Sequence, residues 1–347
     1  MSRLRRADPS CPGFTRRRAG KGFVYYDEAG DRIADLETLE RIRALVIPPA
    51  WQDVWICPWP TGHLQAVGVD DRGRRQYLYH DRWRARRDAE KFDHMIEFAR
   101  ALPALRERCL ELLDDDSLSR ERVLACTVRL LDLGFFRIGG EEYVEQNKSY
   151  GLATLRKKHV TIGPDHALTF DYPAKSGKRR VQTIADEAVF GVVAALKRRR
   201  TGGSELFVYR QGRTWTDIRS VDINDFVKEL SGGEFTAKDF RTWAGTVLAA
   251  VALAVAEKAD SKTARKRAIS RAHQEVSHYL GNTPAVCKKS YVDPRVVDRY
   301  RAGVTIAAAL SRFEDESTAA APAIHGAIEG AVLALLDEAP EAVVEAA

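Results

Sequence analysis

Val160-Thr161-Ile162-Gly163-Pro164-Asp165-His166-Ala167-Leu168-Thr169-Phe170-Asp171-Tyr172-Pro173-Ala174-Lys175-Ser176-Gly177-Lys178-Arg179-Arg180-Val181-Gln182-Thr183-Ile184 decides the fold. It reads as three short strands, Val160–Ile162, Ala167–Tyr172 and Arg180–Ile184. Gly163-Pro164-Asp165 and Lys175-Ser176-Gly177-Lys178 are its turns. Helical periods surround this meander. His94–Leu113 and Ser119–Leu133 precede it, and segments at about 185–200, 218–230, 238–257 and 262–280 follow. A small antiparallel meander thus sits inside a mainly helical domain.

Further outward, residues 23–80 change character. Phe23–Tyr26, Val54–Cys57, Leu64–Val69 and Gln76–Tyr79 are β-rich runs, with a short helix at 35–46 stopped by Pro48-Pro49. Residues 1–22, with Arg16-Arg17-Arg18, read as a flexible basic arm. The expected architecture is α+β: a β-rich N-terminal domain over 1–90 and a catalytic domain over 91–312. An acidic, Ala-rich tail over 313–347 carries one amphipathic segment, Ile324–Leu336.

The chain has 347 residues, 45% apolar and 30% charged, which suffices for two cores. No apolar run approaches a membrane span, and none behind the Arg-rich start resembles a signal peptide. The five cysteines form no CxxC pair, so neither a zinc site nor a disulfide framework is expected. A reducing cytoplasm fits them. Residues 313–347 hold eight acids and no Lys or Arg, which leaves residues 1–312 at +14 against a whole-chain +6. Such a basic body suits a polyanionic partner. Gly177-Lys178 lacks the rest of a Walker A loop, so nucleotide binding is not expected, nor is a metal or other cofactor.

The chemistry-bearing stretch is Leu280-Gly281-Asn282-Thr283-Pro284-Ala285-Val286-Cys287-Lys288-Lys289-Ser290-Tyr291-Val292-Asp293-Pro294. Taken alone, Tyr291 is a packed tyrosine and Asn282 a helix C-cap. A phenol can also attack a phosphodiester. The transition state then gathers negative charge that bidentate arginines meet, and the departing alkoxide needs a proton donor. Arg137, in Phe136-Arg137-Ile138-Gly139-Gly140, and Arg241, in Lys238-Asp239-Phe240-Arg241, are candidates for the charge. Lys175 on a turn tip is the candidate acid, with Lys178 as its rival.

This ordered set, Arg137, Lys175, Arg241 and Tyr291, resembles the type IB DNA topoisomerases, most nearly the small bacterial and poxvirus-like enzymes. Ile47-Pro48-Pro49-Ala50-Trp51, Gly73–Tyr79 and Asn147–Leu152 add to the resemblance, which covers roughly residues 20–312. It implies a clamp around duplex DNA, a 3′-phosphotyrosyl bond through Tyr291 and a free 5′-hydroxyl. It also implies relaxation by strand rotation and religation without ATP or metal. Arg137 and Arg241 would bind the scissile phosphate and Lys175 would protonate the 5′-oxygen. Gln76, Tyr77, Tyr79, Tyr143 and Lys238 match DNA-contacting positions. A monomer associated with the cytoplasmic nucleoid is expected. One departure stands out: the position nine residues before the nucleophile, usually His, is Asn282, which can donate a hydrogen bond but carry no proton. Glu142 occupies a position that is Lys in the viral enzymes. A site-specific tyrosine recombinase is the alternative by chemistry, and an inactive DNA-binding protein the alternative by class. The β-rich N-terminal domain argues against the first, the complete residue set against the second.

Overall fold

The computed structural model describes residues 3–256, 261–316 and 326–337. The chain divides into two compact units, residues 1–93 and 94–347.

The first unit contains β1 (Phe14–Ala19), β2 (Gly22–Tyr26), α1 (Leu36–Ala44), β3 (Gln52–Ile56), β4 (Leu64–Val69) and β5 (Arg75–Tyr79). The strands form one antiparallel sheet in the order β2-β1-β3-β4-β5. Alternation along the strands makes two apolar faces, and a bulge in β4 between Leu64 and Ala66 puts Leu64 on the same face as Val67. Val54, Ile56 and Ala66 pack with Ile42 of α1, while Val67 and Leu64 pack with Ala7 and Cys57.

The expected flexible arm over residues 1–22 is corrected for the described residues from 3 onward. Residues 14–19 are strand β1, in a hairpin with β2. The chain before them is docked: the Arg5 N–H donates to Thr61 O (2.8 Å), the His63 N–H donates to Arg5 O (2.9 Å), and Trp55 Nε1 donates to Cys11 O (3.0 Å). The Arg run is compatible with a strand because Arg16 finds partners. Its guanidinium donates to the carbonyls of Ile47, Pro48 and Trp51 and lies 4.1 Å from the Phe23 ring centroid.

Helix α2 (Asp81–Leu113) begins well before the apolar period at His94. Its first turns are held by neighbouring charges instead: Arg86 and Arg87 pair with Glu90, and Lys91 with Asp88.

The second unit continues with α3 (Arg120–Gly134), α4 (Glu141–Asn147), β6 (Val160–Ile162), β7 (Ala167–Pro173), β8 (Arg179–Ala185) and α5 (Glu187–Arg198). A hairpin of β9 (Val208–Gln211) and β10 (Thr214–Asp217) precedes α6 (Ser220–Ser231), α7 (Ala237–Val255) and α8 (Lys262–Leu280). Then come α9 (Pro284–Ser290), α10 (Pro294–Arg301), α11 (Ala307–Glu316) and α12 (Ala327–Asp337). The meander is a three-stranded antiparallel sheet, β6-β7-β8. Its buried residues Phe170 and Tyr172 pack on Phe136, just past α3. The architecture is therefore the expected α+β one. Among the described residues no helix is long and apolar enough to cross a membrane.

Helix α12 covers the described part of the amphipathic segment read over Ile324–Leu336; residues 317–325 and 338–347 of the tail lie outside the described residues. The helix buries Ile328, Val332, Leu335 and Leu336. Glu329 accepts from Arg106 (2.6 and 3.0 Å) and from Trp243 Nε1 (2.8 Å), and Arg106 also pairs with Asp132 of α3. Burial opposes the charge on Arg106, but its bonds to Glu329 and Asp132 outweigh that and hold its pKa above the usual value.

Candidate active site

Helix α3 stops at Gly134 because Phe135 turns left-handed (φ 52°), which carries Arg137 into a loop. That loop is zipped to residues 151–153. The Leu152 N–H donates to Arg137 O and the Ala153 N–H to Ile138 O, both at 2.8 Å. The approach requires glycine: a Cβ on Gly151 would sit 2.4 Å from Gly139 Cα and 2.7 Å from Arg137 O. The Asn147–Leu152 motif thus fixes the backbone beneath Arg137.

Helix α7 seats two of the candidates. Arg241, only 3% exposed, lies in its second turn. Nη1 donates to Phe135 O and Nη2 donates to Leu280 O (2.8 Å), carbonyls at the ends of α3 and α8. One turn on, Gly245 lets Tyr291 come close, since a Cβ there would lie 2.6 Å from Tyr291 O. Thr246 Oγ1 donates to that same oxygen (3.3 Å) and accepts from the Asp293 N–H (3.1 Å). Tyr291 follows α9 directly, and Cys287 of α9 is fully buried among Ala249, Val276 and Leu280.

Asn282 is not the left-handed cap residue. Gly281 takes that conformation (φ 63°), its N–H donating to His278 O and that of Asn282 to Ser277 O. Glycine has no Cβ to clash there, which frees the Asn282 side chain to face the site. Its Oδ1 accepts from Arg137 Nη2, and its Nδ2 is buried without a partner. The open donor is the amide end.

Burial would raise the Tyr291 pKa, but the charges of Arg241 and Arg137 prevail and hold the phenol below its ordinary value. The Arg241 guanidinium carbon lies 5.2 Å from the phenol ring centroid. Burial, then the charge of Arg137, lowers the Arg241 pKa to about 10, which leaves it cationic at neutral pH. A cleft of about 350 Å³ is lined by Arg137, Lys175, Lys238, Arg241 and Tyr291. A second, of about 290 Å³, shares Arg137, Lys175 and Arg241 and adds Lys178 and Asn282. Lys175 stands on the β7–β8 turn, where Ser176 and Gly177 are both left-handed. This arrangement can hold an anionic group beside a phenol whose pKa neighbouring arginines lower, in a cleft that the Lys175 ammonium also lines.

The structure therefore brings together Tyr291, Arg137, Arg241, Lys175, Asn282 and Lys238. The side chain of Tyr143 lies outside the described residues. In the first unit, Tyr77 and Tyr79 stack at 6.1 Å on the exposed face of β5. Gln76 points to the opposite face, where its amide donates to Asp70 Oδ2 (2.9 Å). Arg180 was not singled out by sequence. On β8, opposite Tyr172, it lines the second cleft and donates to Tyr279 O (2.9 Å), and burial lowers its pKa. Strand alternation separates it from Arg179, which faces out to pair with Asp171.

Residues 80–318 match the family model of the eukaryotic DNA topoisomerase I catalytic core, and residues 22–70 that of the bacterial DNA topoisomerase IB N-terminal domain. Fold and matches together define a topoisomerase catalytic core behind a topoisomerase N-terminal domain. Among similar proteins, DNA topoisomerase 1B of Acanthamoeba polyphaga mimivirus is 31% identical over 297 residues, spanning 83% of this chain and 88% of the viral one. DNA topoisomerase 1B of Vaccinia virus (strain Copenhagen) is 21% identical, over 67% of this chain and 71% of its own. DNA topoisomerase 1 of Candida albicans is 26% identical over 45% of this chain, which is 19% of the fungal protein. The chain belongs to the type IB DNA topoisomerases.

Proposed function

We propose that Tyr291 is the nucleophile of a cleavage and religation cycle on one strand of duplex DNA. The phenol oxygen attacks a backbone phosphorus as its proton leaves to water. A Tyr291 O–P bond forms, and the bond from phosphorus to the 5′-oxygen breaks. Lys175 gives that oxygen a proton, so a 3′-phosphotyrosyl link and a free 5′-hydroxyl result. Arg137, Arg241 and the Asn282 amide meet the charge on the nonbridging oxygens. Rotation of the free end relaxes supercoils, and attack by the 5′-hydroxyl reverses the chemistry. The new diester keeps the energy of the old one, so the cycle as written uses neither ATP nor metal. Gln76, Tyr77, Tyr79, Tyr143 and Lys238 are read as DNA contacts, Gln76 by exchanging its bond to Asp70 for one to DNA, and the enzyme as a nucleoid-associated monomer.

The observation that carries this reading is the convergence of Arg241 and Arg137 on a 9% exposed Tyr291 in a cleft that Lys175 also lines. The test is covalent trapping on a suicide duplex with mapping of the linked peptide. Tyr291→Phe is expected to bind duplex and yield no adduct; a residual adduct sinks the assignment.

A further inference from the structure

A second cationic recess lies wholly within the first unit, far along the sequence from the residues above. It is a cavity of about 690 Å³ lined by the guanidinium-bearing residues Arg3, Arg5 and Arg6 of the N-terminal arm and by Arg82 and Arg86, one turn apart on α2. Among the described residues its lining includes no carboxylate, although Arg86 also pairs with Glu90 one turn further along α2. Converging like charges repel one another, and a bound anion would relieve that repulsion. The arm is not loosely placed: the backbone bonds around Arg5 fix it against residues 61–63, and the Arg5 guanidinium stacks 4.2 Å from the Trp59 ring centroid. The N-terminal pole of α2 adds partial positive charge at the same place.

The recess is continuous with the exposed β5 tyrosines. Its wall residue His63 packs edge-on against Trp83 (4.8 Å) and 6.4 Å from the Tyr79 ring, which in turn stacks on Tyr77. Aromatic rings thus lead from the face read as DNA-contacting straight into a cluster of five arginines. Planar guanidiniums match phosphate oxygens two at a time.

We propose that this recess is a phosphate-binding site that grips the backbone of the duplex whose edge meets Tyr77 and Tyr79. The inference rests on duplex DNA being the substrate, but not on Tyr291 being the nucleophile. Backbone binding of this kind releases counterions and gives affinity without sequence readout.

The test is equilibrium binding of the full chain to a labelled duplex across a salt series, with Arg3→Gln, Arg6→Gln and Arg82→Gln combined. The slope of log affinity against log salt is expected to shrink by about 0.9 for each phosphate that is no longer neutralised, for about two to three phosphates in all. The matching triple substitution to Lys is expected to keep most of the slope. An unchanged slope in the Gln variant overturns the proposal, as does an equal reduction in both variants, which would mean structural damage and not missing charge. If the unmodified chain binds duplex with the full slope but forms no covalent adduct, the nucleophile reading fails and this site stands.

Discussion

Arg241 and Lys175 line one cleft under opposite regimes. Arg241 is buried, its two terminal nitrogens tied to carbonyls at the ends of α3 and α8, and the helix that carries it also seats Tyr291. Lys175 is exposed on a left-handed hairpin tip. The difference separates two demands of phosphoryl transfer. Charge stabilisation gains most from donors that need no reorganisation, and burial supplies that. A proton donor must approach one leaving oxygen and later take the proton back, which a long side chain on a turn can do.

The comparison breaks most readily at Arg241. Arg241→Ala is expected to slow cleavage by about 10³-fold, because a preorganised donor is removed. It is also expected to lower stability by about 1–3 kcal/mol, because two helix-end carbonyls lose their donor in a buried place. Single-turnover cleavage and urea unfolding measure the two effects. Lost activity at full stability would show that the carbonyl bonds matter little. Lys175→Ala is expected to slow cleavage by about 10²-fold, at the lower end for a general acid, and to leave urea unfolding unmoved. A 5′-thio leaving group, which needs no protonation, should restore most of that rate. If it does not, the acid lies elsewhere, with Lys178 of the same rim the first place to look.

How legible these two regimes were differs in the same way. Hairpin turns and helical periods are local, so the meander, the Lys175 tip and α3, α5, α7 and α8 could be read from sequence. What escaped depends on distant partners. Arg16 makes a strand of an arginine run only through carbonyls far along the chain, and Arg180 matters because β8 turns it inward. The tight packing of Gly139 on Gly151, and of Gly245 on Tyr291, is invisible without the fold. The start of α2 was missed because surface charge pairs carry no apolar period.

A smaller effect is expected at the edge of the arginine seat. Glu329 of α12, outside both matched family segments, bridges Arg106 to Trp243, two residues beyond Arg241. Glu329→Ala leaves Arg106 with Asp132, so the destabilisation should be near the low end for a broken buried pair, about 3 kcal/mol. An unshifted denaturation midpoint would mean that α12 does not brace α7. Beneath Tyr150, which lines both clefts, burial first and then the charges of Lys158 and Arg156 depress the His159 pKa from 6.5 to about 4. A histidine kept neutral in the fold takes up its proton first in the unfolded chain. Its contribution is therefore complete above pH 6.5 and is lost as pH falls from 6.5 toward about 4. His159→Gln should flatten that part of the stability profile; an unchanged profile would place the titration elsewhere.

The smallest change should come at Asn282, the point where this chain departs from the usual histidine. Its Oδ1 takes a bond from Arg137 and its Nδ2 is left open, so its useful property is one donor beside the phosphate. Gly281, not Asn282, supplies the left-handed turn, so the helix end does not depend on the amide. Imidazole also offers one N–H. Asn282→His should therefore keep cleavage within about ten-fold, the worth of one ordinary hydrogen bond of ~1 kcal/mol. Asn282→Ala, lacking both donor and acceptor, should be slower, because Arg137 is also deprived of its partner. If the histidine variant is as slow as the alanine one, the acceptor bond that holds Arg137 is what matters, and the site depends on how Arg137 is aimed more than on a third donor.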